Sequence, residues 1–197
     1  LGVGSGSHAE QTAAVMVAYE KICAEQRPDW TIVVGDVNST LACALVAAKL
    51  CIPLAHLEAG LRSGDRTMPE EINRIVTDRL ADLLWTPSPD GNANLKAEGV
   101  AEERIEFVGN IMIDAFELQR PQIDSLGMAT RLKLAPHSFG IVTLHRPANV
   151  DNRASLAQIV AVLVEVSRRL PIIFAVHPRT RARLQEFSLL SQLEGQR

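Results

Sequence analysis

The chain has 197 residues, 47% of them apolar, enough to bury one large core or two small ones. Against 23 acidic side chains stand 20 basic ones, a net charge of -3, which excludes a strongly basic nucleic-acid footprint or membrane-surface patch and points to a small-molecule ligand. Cys23, Cys43 and Cys51 are odd in number and form no CxxC pair, against a disulfide framework or zinc site and for a cytoplasmic protein. No apolar run approaches the roughly 20 residues of a membrane span.

The chain begins at Leu1 rather than Met, and its opening glycines, Gly2 to Gly6, have no strand before them and the wrong spacing for a dinucleotide fingerprint. Ser7-His-Ala-Glu10 reads as a capping box opening a helix through about Ile22. Thr31 to Val34 predicts a buried strand. Asn38, Ser39 and Thr40 read as N-cap residues before a helix from Leu41 to Leu50, and Pro53 to Leu57 is the next strand of a right-handed βαβ unit. Pro69 starts a helix to about Leu80, Leu83 to Thr86 is a strand, Pro87 to Glu98 is mostly helical, and Ile105 to Val108 is another strand. Gln119 to Ser138, with Pro121, Gly127 and Pro136, reads as a connection holding one short helix, which sets the domain boundary between 120 and 121. A second block follows: strand Phe139 to Leu144, amphipathic helix Asn152 to Leu170, strand Ile172 to Val176. Gln185 to Arg197 then trails away without a closing element, so truncation at both ends is expected. Alternation of short β-branched runs with helices predicts an α/β fold with parallel sheets.

In open parallel sheets ligands bind beyond the carboxyl ends of the strands. Asp36 and Glu58 follow the two strands of the first βαβ unit. On adjacent strands about 4.8 Å apart, their carboxylates approach, and mutual repulsion with partial burial would raise a pKa toward acid/base use. The alternative is that Asp36 caps a turn and Glu58 is solvated. Glu70 and Glu71 fall in the first turn of the helix after Pro69, where acids suit the dipole anyway, but Glu70 and Arg74, four apart, share a face. Arg62, Asp65 and Arg66 read, in isolation, as surface charges. His145 and Arg146 leave a strand before a helix N-terminus, where a diphosphate fits, and His177 ends the neighbouring strand in the same way. His8, His56 and His137 are weaker candidates, His56 lying within a strand.

These residues fall in a recognisable series: Val34-Gly-Asp-Val-Asn-Ser-Thr40, His56-Leu-Glu-Ala-Gly-Leu-Arg-Ser63, Met68-Pro-Glu-Glu-Ile-Asn-Arg74, Val108-Gly-Asn110 and Thr143-Leu-His-Arg146. Over nearly its whole length the chain resembles the non-hydrolysing UDP-N-acetylglucosamine 2-epimerases. The resemblance implies a GT-B-like fold of two Rossmann-like domains facing across a cleft, both incomplete here. Residues 1–120 would be the N-terminal domain without its start, and 121–197 the first part of the nucleotide-binding C-terminal domain. It also implies elimination of UDP to a 2-acetamidoglucal and its re-addition after protonation at C2 from the opposite face, with no nicotinamide or other cofactor. By motif position Asp36, Glu58 and Glu70 are the acid/base residues, His145 contacts the diphosphate or assists its departure, Arg74 supports the carboxylates, and Arg146 is a further phosphate contact. The partner implied is a UDP-sugar, with a homodimer as the assembly and cell-envelope polysaccharide as the pathway.

The family's Gly-Thr-Arg-Pro-Glu segment with its lysine, and its later Ser-Gly-Gly loop and glutamate, do not occur in this sequence, so the polypeptide as given is expected to bind UDP-sugar poorly and turn over slowly or not at all. The Gly/Ser-rich loop before Glu10 stands where some bacterial relatives carry glutamines for an activating second UDP-N-acetylglucosamine, and effector control is not expected. Pro147-Ala148 stands where many relatives have Arg-Glu. Rival readings are a hydrolysing epimerase, a GT-B glycosyltransferase, and a non-catalytic UDP-sugar-binding fragment.

Overall fold

A computed structural model describes residues 1–193. The chain divides into two compact units, residues 1–119 and from Arg120 onward.

The first unit is a four-stranded parallel sheet in the order β1 (Thr31–Val34), β2 (Leu54–Leu57), β3 (Leu83–Thr86), β4 (Ile105–Phe107). Short β-branched and leucine-rich runs make its strands, and helices return the chain between them. α1 (His8–Gln26) opens on the expected capping box: the Ser7 hydroxyl accepts from the Glu10 N–H at 3.3 Å, and Glu10 accepts from the Ser7 N–H at 2.8 Å. α1 lies along α2 (Asn38–Lys49), whose inward face is largely alanine, with Ala42, Ala44 and Ala47 fully buried, so the two helices approach closely. α3 (Pro69–Leu80) starts at its proline and packs on α2 and β2. α4 (Pro89–Ala97) is capped by the Ser88 hydroxyl and packs on β3 and β4, followed by a 3-10 turn at Glu102–Arg104. Val33, Leu54, Ala59, Leu84 and Leu95 form the core of this unit.

Three expectations change here. The β1 run is buried on one face only: Thr31 and Val33 point inward, while Ile32 and Val34 are exposed. α2 begins at Asn38 with Val37 as its N-cap and no side-chain cap. Asn38 is engaged elsewhere, its amide reaching Gln11 at 2.8 Å, and the Thr40 hydroxyl turns back to donate to the Val34 carbonyl. The predicted connection is largely helical. α5 (Ile111–Leu126) runs through Pro121 and carries the chain from one unit to the next, because a proline there withholds one backbone donor while Met112, Phe116 and Ile123 keep a helical period. Gly127, with φ +53°, ends it, and the short α6 (Met128–Arg131) follows.

In the second unit β5 (Gly140–Val142) pairs in parallel with β6 (Ile172–Phe174). α8 (Arg153–Ser167) crosses between them, its N-cap Asn152 accepting from the Ala154 and Ser155 N–H groups at 2.9 and 3.1 Å. Three further helices appear where none is predicted: α7 (Pro147–Val150), α9 (Pro178–Glu186) and α10 (Leu190–Leu193). The end of α9 and the whole of α10 fall in the trailing segment, of which residues 194–197 lie outside the described residues. Val150, Leu156, Val160, Leu184 and Leu189 form the core, and the Thr180 hydroxyl donates to the Leu144 carbonyl.

Candidate active site

The carboxyl edge of the first sheet gathers the acids. β1 and β2 are adjacent with Val34 opposite Leu57, so Asp36 and Glu58 leave equivalent strand ends. Gly35 turns the chain with φ +68°, and the Glu58 carboxylate leans over it: a β-carbon there would stand 3.2 Å from Glu58 Oε2. Glu58 itself holds φ +75°, an uncommon conformation for a residue with a side chain.

α3 supplies the rest. Its Asn73 amide donates to the Asp36 carbonyl at 2.8 Å. The Arg74 guanidinium bridges two carboxylates, donating from Nε and Nη2 to Asp36 Oδ2 at 3.0 and 2.7 Å and from Nη1 to Glu71 Oε2 at 2.7 Å. The i, i+4 spacing pairs Arg74 with Glu70; the structure pairs it with Glu71, three residues back and buried. Burial pushes the Glu71 carboxyl up, but the N–H groups of Ser63 and Gly64 with the Arg74 guanidinium outweigh it and hold it at about 2. Glu71 is thus committed to structure. Glu58 and Glu70 make no hydrogen bond or ion pair among the described residues, and Asp36 keeps Oδ1 unpaired, so these three acids have capacity left for a ligand. Asp36 is paired with Arg74 rather than set only against Glu58. Asp36, Asn38, Glu70 and Asn73 line a cleft of about 160 Å³ with His8 and Gln11.

Behind the acids lies a second layer that isolated residue types do not signal. His56 is fully buried, its Nδ1 2.5 Å from Asp78 Oδ1 and its Nε2 donating to the Gly35 carbonyl at 2.8 Å. Asp78 Oδ2 accepts from the Gly60 N–H at 3.0 Å and Arg62 Nη1 at 2.7 Å, and Arg62 also forks onto Glu98 at 2.7 and 2.8 Å. Arg62 is therefore no loose surface charge. The signal available was the set Glu71, Arg74 and Asp78 at i, i+3 and i+7 on α3, one helical face of three charged side chains turned toward the sheet.

In the second unit His145 follows β5 and His177 follows β6, both exposed, with ring centroids 5.9 Å apart. His177 is the N-cap of α9, its Nδ1 accepting from the Arg179 N–H at 3.2 Å, which assigns the ring proton to Nε2 when neutral. Arg146 is solvent-exposed and is the N-cap of the short α7, which stands between these residues and the expected helix with Asn152 as its N-cap. Asp151 takes both Arg179 and Arg183, and the Arg179 hydrogen bonds hold its carboxyl below the usual range. Among the described residues no cluster of three or more His, Cys, Asp or Glu is arranged to hold a metal ion, and no helix is long and apolar enough to cross a membrane.

Parallel α/β units with their polar groups at the strand ends define a GT-B-like fold class, matching solved sugar-nucleotide epimerases. The chain belongs to the UDP-N-acetylglucosamine 2-epimerase family, whose model matches residues 1–196. It is 43% identical to the UDP-N-acetylglucosamine 2-epimerase of Methanocaldococcus jannaschii, covering 99% of this chain and 55% of that one. It is 38% identical to the UDP-2,3-diacetamido-2,3-dideoxy-D-glucuronate 2-epimerase of Pseudomonas aeruginosa, covering 98% of this chain and 54% of that one. The crystal structure of the Methanocaldococcus jannaschii enzyme in complex with UDP-GlcNAc and UDP superposes with a TM-score of 0.84 at 42% identity, over 99% of this chain and 55% of that one. The chain thus spans about 55% of the length of these relatives.

Proposed function

We propose that this chain carries the acid/base machinery for reversible C2 epimerisation of UDP-N-acetylglucosamine to UDP-N-acetylmannosamine. Inversion at C2 needs one group to take the proton and another to return it on the opposite face. Because a C2 proton is weakly acidic, it leaves as the C1–O bond to UDP breaks, giving 2-acetamidoglucal; protonation at C2 and re-addition of UDP at C1 complete the cycle. The observation that carries the reading is the trio at one sheet edge: Asp36 held by Arg74 through one oxygen, with Glu58 and Glu70 unspent. His145 and Arg146 are the proposed diphosphate contacts, with His177 beside His145 as a further substrate contact. The reading extends to a cytoplasmic homodimer serving cell-envelope polysaccharide synthesis; the free Cys23, Cys43 and Cys51 suit a reducing compartment.

The Pseudomonas aeruginosa relative, named for a diacetamido-glucuronate nucleotide, favours a second reading in which the same C2 chemistry acts on that sugar. Proton NMR in D2O with each sugar nucleotide, on this 197-residue chain and on the protein at its natural length, separates the two. Deuterium entering C2 with UDP still attached supports the epimerase and names its sugar. Release of free N-acetylmannosamine moves the assignment to the hydrolysing branch, and absence of C2 exchange with either nucleotide in the natural-length protein sinks the carboxylate roles.

A further inference from the structure

We infer that His56 and Asp78 are positioning residues, a buried pair that sets the spacing between Asp36 and Glu58; the inference rests on the acid/base roles proposed above. Both side chains are excluded from water, at 0% and 1% exposure. The Gly35 carbonyl can only accept, so His56 Nε2 donates to it, at 2.8 Å, one residue before Asp36. On its other side the ring meets Asp78 at 2.5 Å, and Asp78 accepts from the Gly60 N–H at 3.0 Å, two residues after Glu58. One side-chain pair therefore grips the backbone of both acid-bearing turns. The second turn needs holding: Gly35 and Gly60 take positive φ freely, but Glu58, at φ +75°, has a conformation that a residue with a side chain keeps where its surroundings over-determine it.

A buried hydrogen-bonded pair adds little net stability, since desolvation of both groups offsets their attraction, whereas it enforces geometry because every partner must be satisfied at once. Arg62, at 12% side-chain exposure, closes the network from the solvent side by joining Asp78 to Glu98. Every polar atom of His56 and Asp78 that the network uses lies behind the strand-end turns rather than in them.

The test uses the protein at its natural length, with steady-state kinetics on UDP-N-acetylglucosamine across pH. His56→Gln and Asp78→Asn are expected to lower kcat by about 10- to 100-fold, the scale of an ångström's misplacement, with KM nearly unchanged and the limbs of the kcat pH profile displaced. The losses in H56Q and D36N should not multiply in the double variant, because His56 acts through the turn that carries Asp36. Arg62→Lys keeps the charge at a solvent-reaching position and guards against failure of the buried variants to fold; a smaller kcat loss with the same displaced limb is expected. Wild-type kcat and pH limbs in folded H56Q and in R62K overturn the inference, as does a loss that leaves the pH profile fixed and multiplies fully with D36N. If D36N and E58Q retain C2 exchange, the acid/base reading itself falls; if they abolish it while H56Q runs at the wild-type rate, only the positioning role does.

Discussion

Glu70 and Glu71 are chemically the same residue one step apart on a helix, and that step sends them to different work. A turn of 100° carries Glu71 under the Ser63–Gly64 loop, where two N–H groups and Arg74 use its oxygens, while Glu70 faces the cleft with none of its oxygens taken. Folding lowers the Glu71 pKa from the ordinary carboxylate value to about 2, so its contribution to stability is complete above the unfolded value of about 4.3 and is lost as pH falls toward about 2. Glu71→Gln removes charge-assisted bonds: urea unfolding at neutral pH should show a loss of about 2 kcal/mol, with a shallower decline in acid than the wild type. Equal stability of the two proteins at neutral pH would mean that the loop is held by something else. That Asp36 and Glu58 stand together beyond β1 and β2 is legible because strand ends are legible. His56, Asp78 and Arg62 were not, because their meaning depends on pairings 22 and 16 residues apart that join a strand, a helix and a loop, and isolated residue types carry no trace of that closure.

Elements are fixed by backbone demands as much as by side chains, and the junction of the β2 turn with α4 is the clearest case. Gly60 has φ +80°, and a β-carbon on it would lie 2.4 Å from the Gly91 carbonyl oxygen inside α4, while the Asn94 amide donates to the Gly60 carbonyl at 2.9 Å. Gly99 has almost the same φ, +81°, with nothing within 4 Å. Gly60→Ala therefore combines backbone strain with a collision against backbone, and should cost about 2–4 kcal/mol; Gly99→Ala carries the strain alone, about 1 kcal/mol, and thermal melts of the two variants compare them directly. Similar losses in both would remove the collision from the account. At this scale β3 and α3 were read to the residue, since a β-branched or leucine run and an initiating proline are local signals. α5 was obscured because Pro121 is a breaker in most settings, and α7, α9 and α10 because four- to nine-residue helices opening on prolines or after a turn offer too few periods to separate from loop.

At the largest scale the governing feature is that the described residues build two cores, each from its own α/β elements: Leu84 and Leu95 belong to the first, Leu156 and Leu184 to the second. Family membership was legible at this scale because the motifs that carry it are the strand-end turns, and such turns must repeat in spacing wherever the same sheet edge is built. The strands of the second unit are shorter than their sequence runs, since the ladder stops at Val142 and Phe174 while the runs continue to Leu144 and Val176. Separate cores make a separable prediction. Leu84→Ala and Leu156→Ala each empty a site that is fully buried, and each should destabilise its own unit by about 2–5 kcal/mol. Hydrogen exchange read by mass spectrometry should lose protection mainly in residues 31–107 for the first variant and mainly in 140–193 for the second, because opening follows the cooperative unit that holds the cavity. Loss of protection spread evenly through both units by either substitution would make the chain a single cooperative body, and a variant at one core would then be expected to perturb the acids and the histidines alike.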